Sequence, residues 1–178
     1  QRPATITRSN GRAGAAKTGN IGYILSPRMR LEDPYYHRFW SGIQEEAERA
    51  GYCTLITRVN PAERIPEIAR RGKVDGLIAE CDMPKESLKE ISAVMPVVLL
   101  ERIAEENVVD SVMPDHPTGM HKVVAFLSSL GHRRIAFFGV KPFNRCSVEI
   151  PEGYLAALKK YGIAFDPEGR LLLTGKCW

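Results

Sequence analysis

Few residues in this sequence are placed to do chemistry, and their spacing argues against most of it. Gly11-Arg12-Ala13-Gly14-Ala15-Ala16-Lys17-Thr18 falls one residue short of the phosphate-loop spacing GxxxxGK[ST], with Ala16 where the second glycine belongs. A phosphate loop follows a strand and opens a helix, so that backbone N–H groups face the phosphates. This stretch instead precedes a strand and reads as a flexible linker. No GxGxxG follows a strand, so the dinucleotide fingerprint fails as well. Ser26, Ser41, Ser128 and Ser147 lack a GxSxG setting, and His37, His116, His121 and His132 form neither HExxH nor another ligand spacing. Cys53, Cys81, Cys146 and Cys177 have no CxxC spacing and no paired histidines. That excludes a zinc site and a disulfide framework alike. The expectation is a binding protein with no catalytic residues, no cofactor and no metal.

The residues that could bind a ligand stand at the ends of apolar runs. Ser26 follows the run that ends at Leu25, and Asp33-Pro34-Tyr35-Tyr36 opens the next amphipathic stretch. A hydroxyl with one or two aromatic faces suits a polar ring such as a sugar or a base. Asp115 follows residues 108–113 and could accept two hydrogen bonds from vicinal hydroxyls. Equally, Tyr36 could be core, and Asp115 could cap the helix that opens at Pro117-Thr118.

The elements that must hold these residues alternate. Strands are expected at 20–25, 53–57, 76–79, 97–100 and 108–113, and helices at 34–49, 62–71, 85–92 and 117–130. A further strand at 134–139, a helix at 150–161 and a strand at 171–174 follow. In the first helix Tyr36, Phe39, Trp40, Ile43 and Ala47 recur at helical spacing, and Gly51 stops it. Strands alternating with helices make an α/β doubly wound parallel sheet, because parallel strands need helical crossovers. The 178 residues, 44% of them hydrophobic, suffice for a real core. No apolar run approaches the roughly 20 residues of a membrane span, so a cytoplasmic protein without membrane contact is expected. The organisation predicted is a linker over 1–19, a first lobe over 20–116, mostly present, and an incomplete second lobe over 117–178. The formal charge of +4 resides in the start, where residues 1–30 carry six basic groups and no acid.

Read in order, several motifs become specific. Ile21-Gly22-Tyr23-Ile24, Asp33-Pro34-Tyr35-Tyr36, Gly42-Ile43-x-x-x-Ala47, Val74-Asp75-Gly76-Leu77-Ile78, Ser111-Val112-x-x-Asp115, Leu130-Gly131-His132-Arg133-Arg134-Ile135-Ala136 and Gly153-Tyr154-x-x-Ala157-Leu158 together resemble the LacI/GalR family of bacterial transcription regulators. The resemblance implies periplasmic-binding-protein-like lobes, a small-molecule effector held between them, operator DNA bound through a helix-turn-helix headpiece absent from this chain, and a homodimer. It implies ligand contacts from Ser26, Tyr36 and Asp115, with Tyr35 and Arg102 beside them. The arginine usual in the family three residues before Gly153-Tyr154 is Ile150 here, and Arg145 is the substitute proposed for it. Arg2, Pro3 and Arg8 look like the end of a DNA-contacting hinge, in which Asn10 stands where the family carries an apolar wedge.

The leading expectation is therefore the ligand-sensing domain of such a regulator, with a carbohydrate effector first and a nucleobase or nucleoside second. The alternative is a periplasmic sugar-binding protein of a transport system. Phosphate contacts from a few arginines position a protein on DNA, whereas sequence is read by an element in a groove. The 178-residue chain should thus bind DNA weakly, with strong salt dependence and no sequence preference. A filter-binding titration at several salt concentrations checks this, and tight operator-specific binding would overturn it.

Overall fold

The structure is a computed structural model that describes residues 17–27, 29–59, 65–104, 108–140, 145–165 and 170–173. Its elements, in chain order, are β1 (Asn20–Leu25), α1 (Pro34–Arg49), β2 (Cys53–Arg58), α2 (Glu67–Arg70), β3 (Gly76–Glu80), α3 (Lys85–Ser92), β4 (Val97–Leu100), β5 (Asp110–Val112), α4 (His116–Ser129), β6 (Phe137–Val140), α5 (Arg145–Lys160) and β7 (Arg170–Leu173). They fall into two compact units, Gln1–Met113 and Pro114–Trp178.

The first unit is one parallel sheet in the order β2-β1-β3-β4-β5. Crossovers between parallel strands are right-handed, so reversing the direction of travel along the sheet moves the helix to the other face. The chain steps one way from β1 to β2 and then back across β1 to β3 and β4. As that rule requires, α1 packs on one face and α2 and α3 on the other. Tyr23, Leu25 and Met29 are buried with Tyr36, Trp40 and Ile43 on the α1 face. Ile24, Leu77, Ala79, Ala69, Leu88 and Ile91 are buried on the opposite face. The alternation of Tyr23, Ile24 and Leu25 between faces is the period of two that a strand imposes.

Local chemistry sets the element ends. The Asp33 side chain accepts from the Tyr35 N–H at 2.8 Å and Pro34 takes the first helical position, so α1 starts where two aromatic residues follow. At its far end Gly51 adopts φ +78°, and the Tyr52 N–H returns to the Ala47 carbonyl at 2.8 Å. Asp75 ties the entrance of β1 to β3, accepting from the Thr18 and Gly19 N–H groups at 2.8 and 2.9 Å. Partial burial pulls its carboxyl up, yet these bonds hold it below the ordinary carboxylate range.

The second unit pairs β6 with β7 in parallel and packs α4 on α5 around Val124, Tyr154, Ala157, Leu158 and Ile163. The Tyr154 hydroxyl donates to the Ile135 carbonyl at 2.7 Å. Helix α5 differs from expectation. It begins at Arg145 rather than Ile150, with Pro151 inside it. An interior proline costs about 3 kcal/mol. Here Ser147 and Pro151 are both buried, so packing of the first turns outweighs that loss. The other boundaries also shift. The structure has strand at Asp110–Val112 rather than 108–113, at Phe137–Val140 rather than 134–139, and helix at Glu67–Arg70 within the expected 62–71. Residues 134–136 lie outside the two-stranded ladder of β6 and β7, which limits the strand to the paired residues.

Gly153 is where the α4–α5 contact is tightest. A Cβ at this position would sit 3.0 Å from the Pro117 Cα and 3.2 Å from the Met120 Cβ. Backbone cannot yield there as a side-chain tip could. Gly153→Ala should therefore destabilise the chain by about 1–3 kcal/mol, read as a lower urea midpoint with an unchanged slope.

Candidate functional site

In an open parallel sheet, ligands bind outside the carboxyl ends of the strands, at the point where the direction of travel reverses. In this chain that point lies between β1 and β3, where Leu25 is paired with Glu80. The carboxyl ends of β1, β3 and β4 and the start of α1 bring together Ser26, Glu80, Glu101, Arg102, Tyr35 and Tyr36.

Glu80 lies at the centre. It is the last residue of β3, shares the α1 face with Ile78, and is fully buried. The Tyr23 hydroxyl donates to its Oε2 at 2.5 Å, while Oε1 is enclosed with no hydrogen-bond partner. Burial raises its carboxyl to about 7; the Tyr23 bond pulls it down, the charge of Glu101 pushes it up, and Arg102 lowers it again. Tyr23 is held neutral far above the ordinary phenol range by burial, then by its bond to Glu80.

Glu101 follows β4 and is 7% exposed. Its backbone has φ +55°, a conformation that costs a residue with a Cβ about 1 kcal/mol or more. Its N–H bonds the Val112 carbonyl at 2.9 Å, and its Oε1 accepts from the Tyr35 hydroxyl. Arg102 Nη1 donates to the Glu101 carbonyl at 2.8 Å. Arg102 Nε lies 3.1 Å from Asp82 Oδ1, an ion pair without hydrogen-bond alignment, and the Asp82 side chain is 93% exposed. Such a rim pair is worth little in water.

Aromatic rings wall the acids. Tyr35 meets Tyr36 edge-on at 5.3 Å and Phe39 at 4.9 Å, and Tyr23 stacks on Trp40 at 6.0 Å. The Tyr36 phenol is raised by burial and then by the charges of Glu80 and Glu101. Cys81, next to Glu80, is buried and its thiol is pushed up to about 12, chiefly by burial, so it is no nucleophile at neutral pH. Among the described residues no group of three His, Cys, Asp or Glu side chains is placed to hold a metal ion.

Of the residues singled out from sequence, Tyr35, Tyr36 and Arg102 enter this cluster. Ser26 stands at its edge, one residue past the Leu25–Glu80 pair, with its carbonyl accepting from the Met29 N–H at 3.0 Å. Asp115 belongs to the second unit and is the N-cap of α4, accepting from the Thr118 N–H at 3.0 Å. Hydrogen bonding from the Thr118 side chain, and then from its N–H, holds the Asp115 carboxyl below the ordinary range. Arg145 opens α5, but its side chain lies outside the described residues, as do Arg2, Arg8 and Asn10. Sequence reasoning missed Glu80, Glu101 and Tyr23. The signal was available: each glutamate directly follows an apolar strand run, Gly76-Leu77-Ile78-Ala79 and Val97-Val98-Leu99-Leu100. The expected strand stops at residue 79, one short of Glu80.

Glu80 gives the chain a distinctive pH dependence. Below about pH 4.5 its carboxyl is protonated in both the folded and the unfolded chain. Between 4.5 and 7 the folded state holds the proton more tightly, so stability falls as pH rises through that window and stays reduced above it. The shift corresponds to about 3 kcal/mol. Glu80→Gln keeps an acceptor for Tyr23 and removes the ionisation. Urea unfolding should show the variant equal to the parent at pH 4 and more stable by that amount at pH 8.

Residues 18–176 match the family described as periplasmic binding proteins and sugar binding domain of LacI family. The maltose regulon regulatory protein MalI of Escherichia coli is 27% identical over 173 residues, 93% of this chain and 50% of that protein. The transcriptional regulator AscG of the same organism is 35% identical over 81 residues, 46% of this chain and 24% of that protein. The crystal structure of AscG superposes with a TM-score of 0.66 at 21% identity, covering 86% of this chain and 58% of that one. A LacI-family regulatory protein from Chloroflexus aggregans gives 0.68 at 22% identity, covering 89% and 59%. The chain spans about half the length of MalI, and the neighbours at these identities establish the fold. By the match across residues 18–176, the chain belongs to the family of periplasmic binding proteins and LacI-type sugar-binding domains.

Proposed function

We propose that the chain is the effector-sensing part of a LacI-type transcription regulator, binding a small polar molecule at the carboxyl ends of β1, β3 and β4. The observation that carries the reading is the cluster itself. Tyr35, Tyr36, Glu80, Glu101 and Arg102 gather acceptors, donors and aromatic faces at the reversal point of the sheet. Polar ligands with ring faces are bound by such a combination. The relatives MalI and AscG are named as regulators, which favours regulation over transport and over catalysis.

A carbohydrate effector, operator DNA reached through a separate headpiece, a cytoplasmic location and a homodimer complete the proposal. Ser26 joins the cluster in ligand contact, and Asp115 and Arg145 contribute from the second unit. The helices α1 and α3 would supply part of the dimer contact. Arg2, Arg8 and Asn10 would lie in the hinge that approaches DNA. Gel-shift titration against DNA upstream of the gene, using the polypeptide that joins this chain to a headpiece, tests the whole reading. The shift should change when a small molecule identified by thermal-shift screening is added, and an effector that binds without altering DNA affinity would sink it.

Asp115 separates capping from recognition. Asparagine caps helices as well as aspartate does, so Asp115→Asn should leave the thermal midpoint unchanged while Asp115→Ala lowers it. If the carboxylate holds ligand hydroxyls, both variants should weaken effector binding at least about tenfold, equivalent to 1.4 kcal/mol. Parent-like affinity in Asp115→Asn, measured by calorimetry, would assign the residue to the cap alone.

A further inference from the structure

We infer that the ligand of this site carries a protonated amine, seated between the carboxylates of Glu80 and Glu101 and walled by Tyr35 and Tyr36. The inference rests on the effector reading above and narrows its chemical class to an amine-bearing polyol such as an amino sugar.

The two glutamates end β3 and follow β4, neighbouring strands of the same sheet, and each acts electrostatically on the Tyr36 phenol. Both are more than nine-tenths buried. Burying like charges together is costly unless a cation compensates them. Among the described residues Arg102 is the cation whose charge acts on Glu80, but its Nη1 bonds the Glu101 carbonyl and its Nε lies beside Asp82. Among the described residues the carboxylates receive one tyrosine hydroxyl each, from Tyr23 and Tyr35, and Glu80 Oε1 receives nothing. A neutral hydroxyl would satisfy that oxygen but add nothing to the partial compensation that Arg102 gives the pair. An ammonium does both, because it has three donors and one positive charge.

The surroundings agree with a cation. Aromatic faces attract ammonium groups, and Tyr35, 49% exposed, forms the outer wall where a ligand would enter. Glu101 and Arg102 act on Glu80, Asp82 acts on the neighbouring Cys81 and Asp33 on Tyr36, while Arg58 ends β2 beside Leu25. Since burial raises Glu80 to about 7, an ammonium bound near neutral pH displaces a proton from it, and uptake of the ligand is accompanied by proton release.

The test uses matched probes on the chain: glucosamine, galactosamine and mannosamine, their parent sugars, and their N-acetyl derivatives, which keep the nitrogen but lose the charge. Calorimetry at pH 7 should show at least one amine binding about tenfold or more tighter than its parent and its N-acetyl form. Glu80→Gln and Glu101→Gln should each abolish that preference while unfolding at or above the parental midpoint, so that lost binding is not lost folding. Repeating the titration in buffers of different ionisation enthalpy should reveal the released proton. Parent or N-acetyl sugars binding as tightly as the amines would overturn the inference and leave the effector reading standing. Binding by none of the probes would overturn it too, whereas the effector reading fails only by the gel-shift outcome described above.

Discussion

Parallel strands can be joined only by crossovers of one hand, and that constraint governs the first unit. Because the chain leaves β1 in one direction and returns across it to β3, helices fall on opposite faces and the direction of travel reverses between those two strands. The capping of α1 by Asp33 then brings Tyr35 and Tyr36 to the same end of the sheet. Tyr35, Tyr36, Glu80, Glu101 and Arg102 are gathered there by topology, from segments that are far apart in sequence.

What the crevice contains is unfavourable for stability taken alone. A carboxylate with no exposure, a second acid in a left-handed backbone conformation and a tyrosine that cannot ionise are features a purely structural sheet end would avoid. Strained and desolvated groups of this kind collect at sites where the strain serves recognition. The apolar remainder of the sheet supports them. Ile24, Leu77, Ala79, Leu88, Ile91 and Leu99 form a dry layer on the far face, and Trp40 covers the ring of Tyr23 on the near one.

The second unit depends on a different contact, the approach of α4 to α5 at Gly153. That approach allows Tyr154 to turn its hydroxyl onto the Ile135 carbonyl beneath a stacked Phe137, while Val124 is sealed from solvent. The glycine–tyrosine pair that marks the family resemblance is thus explained by packing. Gly131 serves the other end of α4, with φ +89° and the His132 N–H returned to the Leu127 carbonyl at 3.1 Å.

The sequence by itself determined the order of strands and helices, the α/β class, the family and the aromatic start of α1, because period, capping residues and turn glycines are local signals that survive without a fold. It also marked Tyr35, Tyr36 and Arg102. It could not reveal Glu80 and Glu101 as partners, since a carboxylate at the end of an apolar run reads as the onset of solvent. Nor could it choose between the two roles open to Asp115, whose bond to the Thr118 N–H is visible only in three dimensions. The same holds for Pro151, whose position inside α5 is decided by burial rather than by propensity. Only tertiary structure decided these points, because each depends on whether a polar group, once removed from water, finds a partner distant in sequence.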